Sequence, residues 1–187
     1  MKLNKIMLAA VMAFGISSVA QAAVVDQGSG KVTFTGSIID APCSISPKTS
    51  DQTVELGQIS KFELKNGGKS SPRNFTVDLE NCDLSEGKNK VTLTFTSAGS
   101  TSTADSGLLG ITGHAKGASI AITDGAGSLI KLGTKSNPQQ LQDGNNTLNF
   151  SAYLQGHTAA TGEGAAPVEP VTEGKFQAVA DFTLAYQ

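Results

Sequence analysis

Lys31-Val32-Thr33-Phe34-Thr35-Gly36-Ser37-Ile38 sets Val32, Phe34, Gly36 and Ile38 at every second position, with Lys, Thr and Ser between them. Successive side chains of a strand point to opposite faces, so this spacing puts the four on one face and the polar residues on the other. The same alternation recurs in residues 75–79, 91–95, 119–122, 129–132, 148–154 and 176–186. Turn signals stand between these runs: Asn66-Gly67-Gly68, Glu86-Gly87, Asp124-Gly125 and Asp143-Gly144-Asn145-Asn146, where Gly and Asn accept positive φ. About seven strands are implied, and the chain reads as all-β. Composition agrees: Gly, Ser, Thr and Ala abound while aromatics are only 5%, which suits short strands and turns better than packed amphipathic helices. Residues 159–170, rich in Ala, Gly and Pro without alternation, read as an exposed loop before the last strand.

Ahead of the first alternating run lies an address. Lys2 and Lys5 precede the apolar run 6–16, and Ala20-Gln21-Ala22 supplies small residues at the right distance for cleavage. Residues 1–22 therefore read as a signal peptide, with Ala23 as the mature N-terminus. The apolar run is shorter than the roughly 20 residues that span a bilayer. What remains is the size of one domain, divided into an N-terminal extension, 23–40, and a domain, 41–187. Charged residues are 16% of the sequence and the net charge is -2, so no basic field exists to attract nucleic acid.

Cys43 and Cys82 both follow the export signal, where the compartment is oxidising and a pair is expected to close. A metal or redox role is the weaker reading. Their separation is far from C-x-x-C spacing, and only His114 and His157 could join them as soft ligands. A bridge enclosing about 40 residues stabilises by about 4 kcal/mol in the chain-entropy model.

Both ends of the exported part are unusual for an ordinary sandwich. Nothing before Cys43 offers the run 31–38 a nearby hairpin partner, and no strand follows the apolar run 176–186. A sandwich short of one strand exposes unpaired backbone beside apolar pockets, an invitation to strand addition by another chain. Head-to-tail filling of that kind does not close on itself and produces a fibre. From periodicity alone, residues 32–38 read equally as the first strand of the chain's own sandwich, and an apolar last strand is most often ordinary core.

A family resemblance separates these readings. It is carried by Gly30-Lys31-Val32-Thr33-Phe34-Thr35-Gly36, Asp40-Ala41-Pro42-Cys43-Ser44-Ile45, Leu79-Glu80-Asn81-Cys82, Asp143-Gly144-Asn145-Asn146, and the ending from Glu173-Gly174 through Ala185-Tyr186-Gln187. With these the exported chain resembles the chaperone–usher pilins of the P pilus type, above all the major subunits of mannose-resistant Proteus-like fimbriae. That family's C-terminal signature is a glycine fourteenth from the end, alternating apolar residues and a penultimate tyrosine; Gly174 and Tyr186 meet it.

The resemblance implies an incomplete immunoglobulin-like β-sandwich that lacks its seventh strand and is completed in trans by a donor strand. Val32, Phe34, Gly36 and Ile38 would be the donated side chains. Gly174, Phe176, Ala178, Ala180, Phe182, Leu184 and Tyr186 would line the acceptor groove, covered first by a periplasmic chaperone. At an outer-membrane usher, the extension of the next subunit would replace the chaperone strand. The implied partners are identical and related pilin subunits, the chaperone and the usher, and the implied location is a fimbria at the cell surface, reached through the periplasm.

For catalysis the sequence offers nothing comparable. It has no G-x-S-x-G elbow, H-E-x-x-H or P-loop, and neither a cofactor, a metal nor a small-molecule substrate is expected. The alternative within the same class is a minor adaptor or tip-associated fimbrial subunit with receptor binding. A two-domain tip adhesin would need an additional lectin domain for which residues 23–187 leave no room.

Overall fold

The alternating runs become strands where each finds an antiparallel neighbour. The computed structural model describes residues 28–99, 102, 107–158 and 169–187, so the leader and most of the 159–170 loop lie outside the described residues. In chain order the strands are β1 (Ser44–Ile45), β2 (Arg73–Cys82), β3 (Lys90–Ser97), β4 (Leu109–Gly110), β5 (Thr112–Gly113), β6 (Ala118–Asp124), β7 (Leu129–Ile130), β8 (Gln139–Gln140), β9 (Gly144–Gly156), β10 (Phe176–Gln177) and β11 (Ala180–Tyr186). Among the described residues the helical content is one turn, Pro47–Ser50, started by a proline at its first position, and a 3-10 turn, Lys65–Gly67. The chain is all-β.

One sheet runs β1-β2-β9-β6-β4, with β7 also on β6; a second runs β11-β3-β8; β10 and β5 form a separate pair. The long β2–β9 ladder is the backbone of the first sheet. Along β9, Leu148, Phe150, Ala152 and Leu154 are buried while the residues between them are not, the period-2 pattern of a strand with one face on the core. Val77 and Leu79 of β2, Leu148 and Phe150 of β9 and Ile122 of β6 meet Val91, Leu93 and Phe95 of β3 in the main core. The two sheets thus make a sandwich.

Three sequence expectations change in detail. The run 129–132 pairs with β6 only over Leu129–Ile130, because Leu132 N–H turns instead to the carbonyl of Gly107 at 2.9 Å. The Asp143–Asn146 turn signal is partly strand: β9 starts at Gly144, and Asn146 stands opposite Leu79 beside a bulge in β2. Asn81 in that bulge has φ 54, and its N–H donates to Asn145 Oδ1 at 3.3 Å. Finally, the run 176–186 is two strands rather than one. β10 pairs with β5, the chain breaks at Ala178-Val179, and β11 pairs with β3.

Turn chemistry at Asp124 is as the sequence suggests, with more buried structure behind it. Its Oδ1 accepts from Ala126 N–H at 3.0 Å and Ser128 N–H at 2.8 Å, and Oδ2 accepts from Asn137 Nδ2 at 2.7 Å. A buried carboxylate with this many donors needs no cation.

Contacts divide the chain into two units, Met1–Ile38 and Ile39–Gln187. The second contains all the elements above. In the first, the described residues 28–38 form no assigned strand or helix and are all exposed.

Candidate functional site

The disulfide expected from the cysteine pair is present. Cys43 and Cys82 are bonded with Cα atoms 4.1 Å apart, both buried, and tie the segment before β1 to the end of β2. Both are thereby consumed within the chain; among the described residues no cysteine is free. No group of three or more His, Cys, Asp or Glu side chains among the described residues is placed to hold a metal.

The site of interest is β11. Its register on β3 runs from Ala180 opposite Ser97 to Tyr186 opposite Val91. Past the ends of the assigned strand the ladder continues, with Ala98 N–H donating to Val179 O at 3.2 Å and Gln187 exchanging bonds with Lys90 at 2.9 and 3.0 Å. In an antiparallel ladder the hydrogen-bonded pairs alternate. Bonds at 179 and 187 therefore assign the odd residues of β11 to β3. The N–H and C=O groups of Ala180, Phe182, Leu184 and Tyr186 face away from β3, and β11 has no other ladder partner among the described residues.

The side chains of those same four residues point inward and pack on the main core, but each is only partly buried. Three of their four neighbours on β3 are covered, Val91 and Leu93 at 0% exposure and Phe95 at 3%, while Ser97 opposite Ala180 is half-buried. Phe182 reaches the aromatic centre through Phe95, ring centroids 6.3 Å apart, and Phe95 in turn meets Phe150 at 5.5 Å edge to face. Tyr186 buries its hydroxyl without a hydrogen-bond partner, and burial raises its phenol above the ordinary value. The edge of β11 thus combines unpaired backbone with apolar side chains whose cover is incomplete.

Not every residue expected in the groove lies on this edge. Phe176, on β10, packs against a second cluster of Leu64, Ala118 and Leu154. Gly174 has φ 151, and a Cβ there would come within 2.7 Å of the backbone N of Ala115, so glycine is required where the chain passes the loop before β6. Ala178 lies in the break between β10 and β11. The candidate donor residues are open to solvent, with Val32 at 74%, Phe34 at 90% and Ile38 at 105% exposure.

A second unpaired stretch escaped the sequence reading. Residues 53–59, Thr-Val-Glu-Leu-Gly-Gln-Ile, have no assigned strand, and no backbone bond joins them to another segment among the described residues; Val54, Leu56 and Ile59 are half-buried. The alternation of Val54 and Leu56 was the available signal, cut short by Gly57 at φ 80. An open cleft lies between residues 52–55 and Arg73, Asn74, Phe75 and Thr76. It holds no His or Cys and is not on β11.

A two-sheet, disulfide-tied sandwich with one bare apolar edge defines an immunoglobulin-like domain of the kind found in pilus subunits. The family described as "Fimbrial protein" matches residues 32–187. Fimbria A protein of Serratia marcescens is 63% identical over 187 residues, covering 100% of both chains. Major MR/P fimbria protein of Proteus mirabilis (strain HI4320) is 53% identical over 188 residues, again covering 100% of each. Among solved structures, one of a chaperone–usher pilus matches with a TM-score of 0.72 at 38% identity over 89% of this chain and 100% of that one. The P pilus rod subunit PapA matches at 0.64 and 36%, over 79% of this chain and 100% of that one. The chain belongs to the fimbrial protein family, as a structural subunit.

Proposed function

We propose that this protein is the repeating structural subunit of a surface fimbria and polymerises by donor-strand exchange. The observation that carries the proposal is the contrast across one ladder: β3 is sealed, while β11 keeps four residues with unpaired backbone and half-covered apolar side chains. A lone edge of this kind is a pairing template. The extension 23–40 of another copy, with Val32, Phe34, Gly36 and Ile38 at every second position, is a strand of matching period. Burying Val32, Phe34 and Ile38 stabilises by about 1.5 to 3 kcal/mol each. Ladder bonds add about 0.5 to 1.5 kcal/mol each, so the junction is long-lived without covalent chemistry.

Before assembly the same edge needs temporary cover, and a periplasmic chaperone supplies it, with exchange at an outer-membrane usher. The acceptor role falls to Ala180, Phe182, Leu184 and Tyr186 first; Gly174, Phe176 and Ala178 lead into that strand. Full-length likeness to a relative named as a major fimbria protein supports a place in the shaft over an adaptor or tip role.

Deleting residues 23–38 behind an intact leader tests the reading. The deleted subunit is expected to be recovered with its chaperone and to form no fibres by electron microscopy when it is the sole subunit. Normal fibres from that variant would overturn donation.

A further inference from the structure

Resting on that reading, we infer that successive copies also meet through charge: the basic loop around Phe62 of the receiving copy takes the acidic β2–β3 turn of the entering copy at every junction of the fibre.

The two ends of the sandwich carry opposite charge. At about 3.3 Å per residue, the first and last residues of β2, Arg73 and Cys82, lie about 30 Å apart. The Arg73 end gathers cations from several segments. Loop 61–69 leads into it, and Lys69 bridges to Gln155 near the end of β9. Lys116 precedes β6, whose first residue, Ala118, stands opposite Gly156. The carbonyl of Lys175 accepts from His114 N–H at 3.0 Å. Against Lys61, Lys65, Lys69, Arg73, Lys116 and Lys175 stand only Glu63, Glu169, Glu173 and Asp181. Lys61 is neutralised by Glu173, but the other five cations form no ion pair among the described residues.

Loop 61–69 presents its charge on exposed aromatic surface. Phe62 is 66% exposed, with Lys65 Nζ 4.4 Å and Lys61 Nζ 5.8 Å from its ring centroid, and Lys69 Nζ lies 5.3 Å from that of Tyr153. An aromatic ring flanked by cations is the side-chain chemistry enriched at protein interfaces, and here it fits a carboxylate-bearing partner.

The Cys82 end supplies that partner. Asp83 and Glu86 project from the turn between β2 and β3, and both are exposed. Asp143 joins them, its Oδ1 accepting from Leu84 N–H at 2.9 Å, and Glu80 stands opposite Ser44 at the last turn of the ladder. The cations on this end are Lys88, which meets Glu86 at 3.4 Å, and Lys90. Asp83 and Asp143 form no ion pair among the described residues.

The extension leaves each copy from the acidic end. The compact unit begins at Ile39, and the Pro42 carbonyl accepts from Asp83 N–H at 2.9 Å, so residues 39–42 enter beside the acidic turn. In a head-to-tail fibre the exit end of one copy faces the opposite end of the copy that receives its strand. Acid therefore meets base at each junction, whereas copies meeting by like ends would set acid against acid. Exposed ion pairs are individually weak and screened by salt. The contact accordingly steers the approach of the entering copy and fixes its orientation, while the donated strand holds it.

Charge reversal on both sides tests the contact. Purified chaperone-bound subunits are allowed to polymerise, and the rate is followed by light scattering, with fibres checked by electron microscopy. Lys65→Glu with Lys69→Glu, or Asp83→Lys with Glu86→Lys, is expected to slow polymerisation about tenfold at low salt. All four substitutions in one chain restore unlike ends and are expected to recover the rate. Raising salt from about 0.01 M to about 1 M, which shortens the screening length from about 30 to about 3 Å, should slow the unmodified subunit in the same way. Unchanged rates in both reversed variants, or a fourfold variant slower than either, would overturn the contact. If a reversed variant is not recovered with its chaperone, unmodified fimbriae are treated with a carbodiimide, which joins a lysine amine to a carboxylate it touches. Mass spectrometry is expected to find links from Lys61, Lys65 or Lys69 to Asp83, Glu86 or Asp143 in fibres and none in the chaperone-bound subunit, whose ends are too far apart. Fibres without such links would equally overturn it. Failure of strand donation shows separately, as normal fibres from the 23–38 deletion.

Discussion

Phe95 and Phe182 stand directly opposite one another on the β3–β11 ladder with ring centroids 6.3 Å apart, yet Phe95 is 3% exposed and Phe182 is only half-buried. One partner of the pair belongs to a finished core and the other to an unfinished one. The difference arises because β3 is flanked on both sides, by β11 and by the segment 133–140, with Gly133 N–H donating to the Phe95 carbonyl at 2.8 Å, whereas among the described residues β11 pairs along its length with β3 alone.

That asymmetry predicts unequal costs for two similar substitutions. In the free mature subunit, Phe95→Ala is expected to lower stability by about 3 to 5 kcal/mol, the range for a fully buried phenylalanine. Phe182→Ala should cost roughly half as much, because part of its surface is already in contact with water. In assembled fibres the two costs should converge as the donor covers Phe182. Urea unfolding of the subunit and thermal dissociation of fibres measure both; equal costs in the free subunit would contradict an open edge.

Phe34→Asp is expected to stop exchange while leaving the fold of residues 39–187 unchanged. In a donated strand, an aspartate in place of Phe34 would be buried without a partner, at a cost of several kcal/mol after relaxation. Circular dichroism should match the unmodified subunit, and electron microscopy should show no fibres.

Tyr186 predicts a pH effect. Its phenol titrates above the ordinary value of about 10 because burial disfavours the phenolate. Below pH 10 both folded and unfolded chains hold the proton, and stability is unaffected. As pH rises through the unfolded value the unfolded chain loses its proton first, so stability falls until the folded group also ionises. Tyr186→Phe should abolish that loss. It should also leave stability at pH 7 unchanged or slightly higher, since the buried hydroxyl has no hydrogen-bond partner to lose. Thermal melts across pH 8 to 12 read both effects.

Replacing Cys43 and Cys82 by Ser is expected to cost about 4 kcal/mol, the chain-entropy value for a loop closed across a separation of 39. Asn146, whose Nδ2 lies 3.3 Å from Cys82 Sγ, stays held by the Gln142 carbonyl at 2.8 Å, so the β9 end should remain ordered. Recovery of the chaperone complex at normal yield in the double serine variant would argue that the bridge contributes little.

The sequence by itself determined the strand class, the cysteine pairing and the period of both the donor run and the last strand. These follow from local rules: alternate residues share a face whatever the strand's neighbours, and two cysteines in an oxidising compartment have one partner each. Only the tertiary structure decided that the run 176–186 is divided, with Phe176 assigned to a second core and Ala180, Phe182, Leu184 and Tyr186 to the first. Three successive apolar residues, Ala178-Val179-Ala180, interrupt the alternation, but an interruption of that kind does not say that the chain leaves β5 for β3 there. Which side of β11 stays bare was likewise beyond the sequence, because a missing neighbour is a property of how strands from distant parts of the chain are arranged, and periodicity describes one strand at a time.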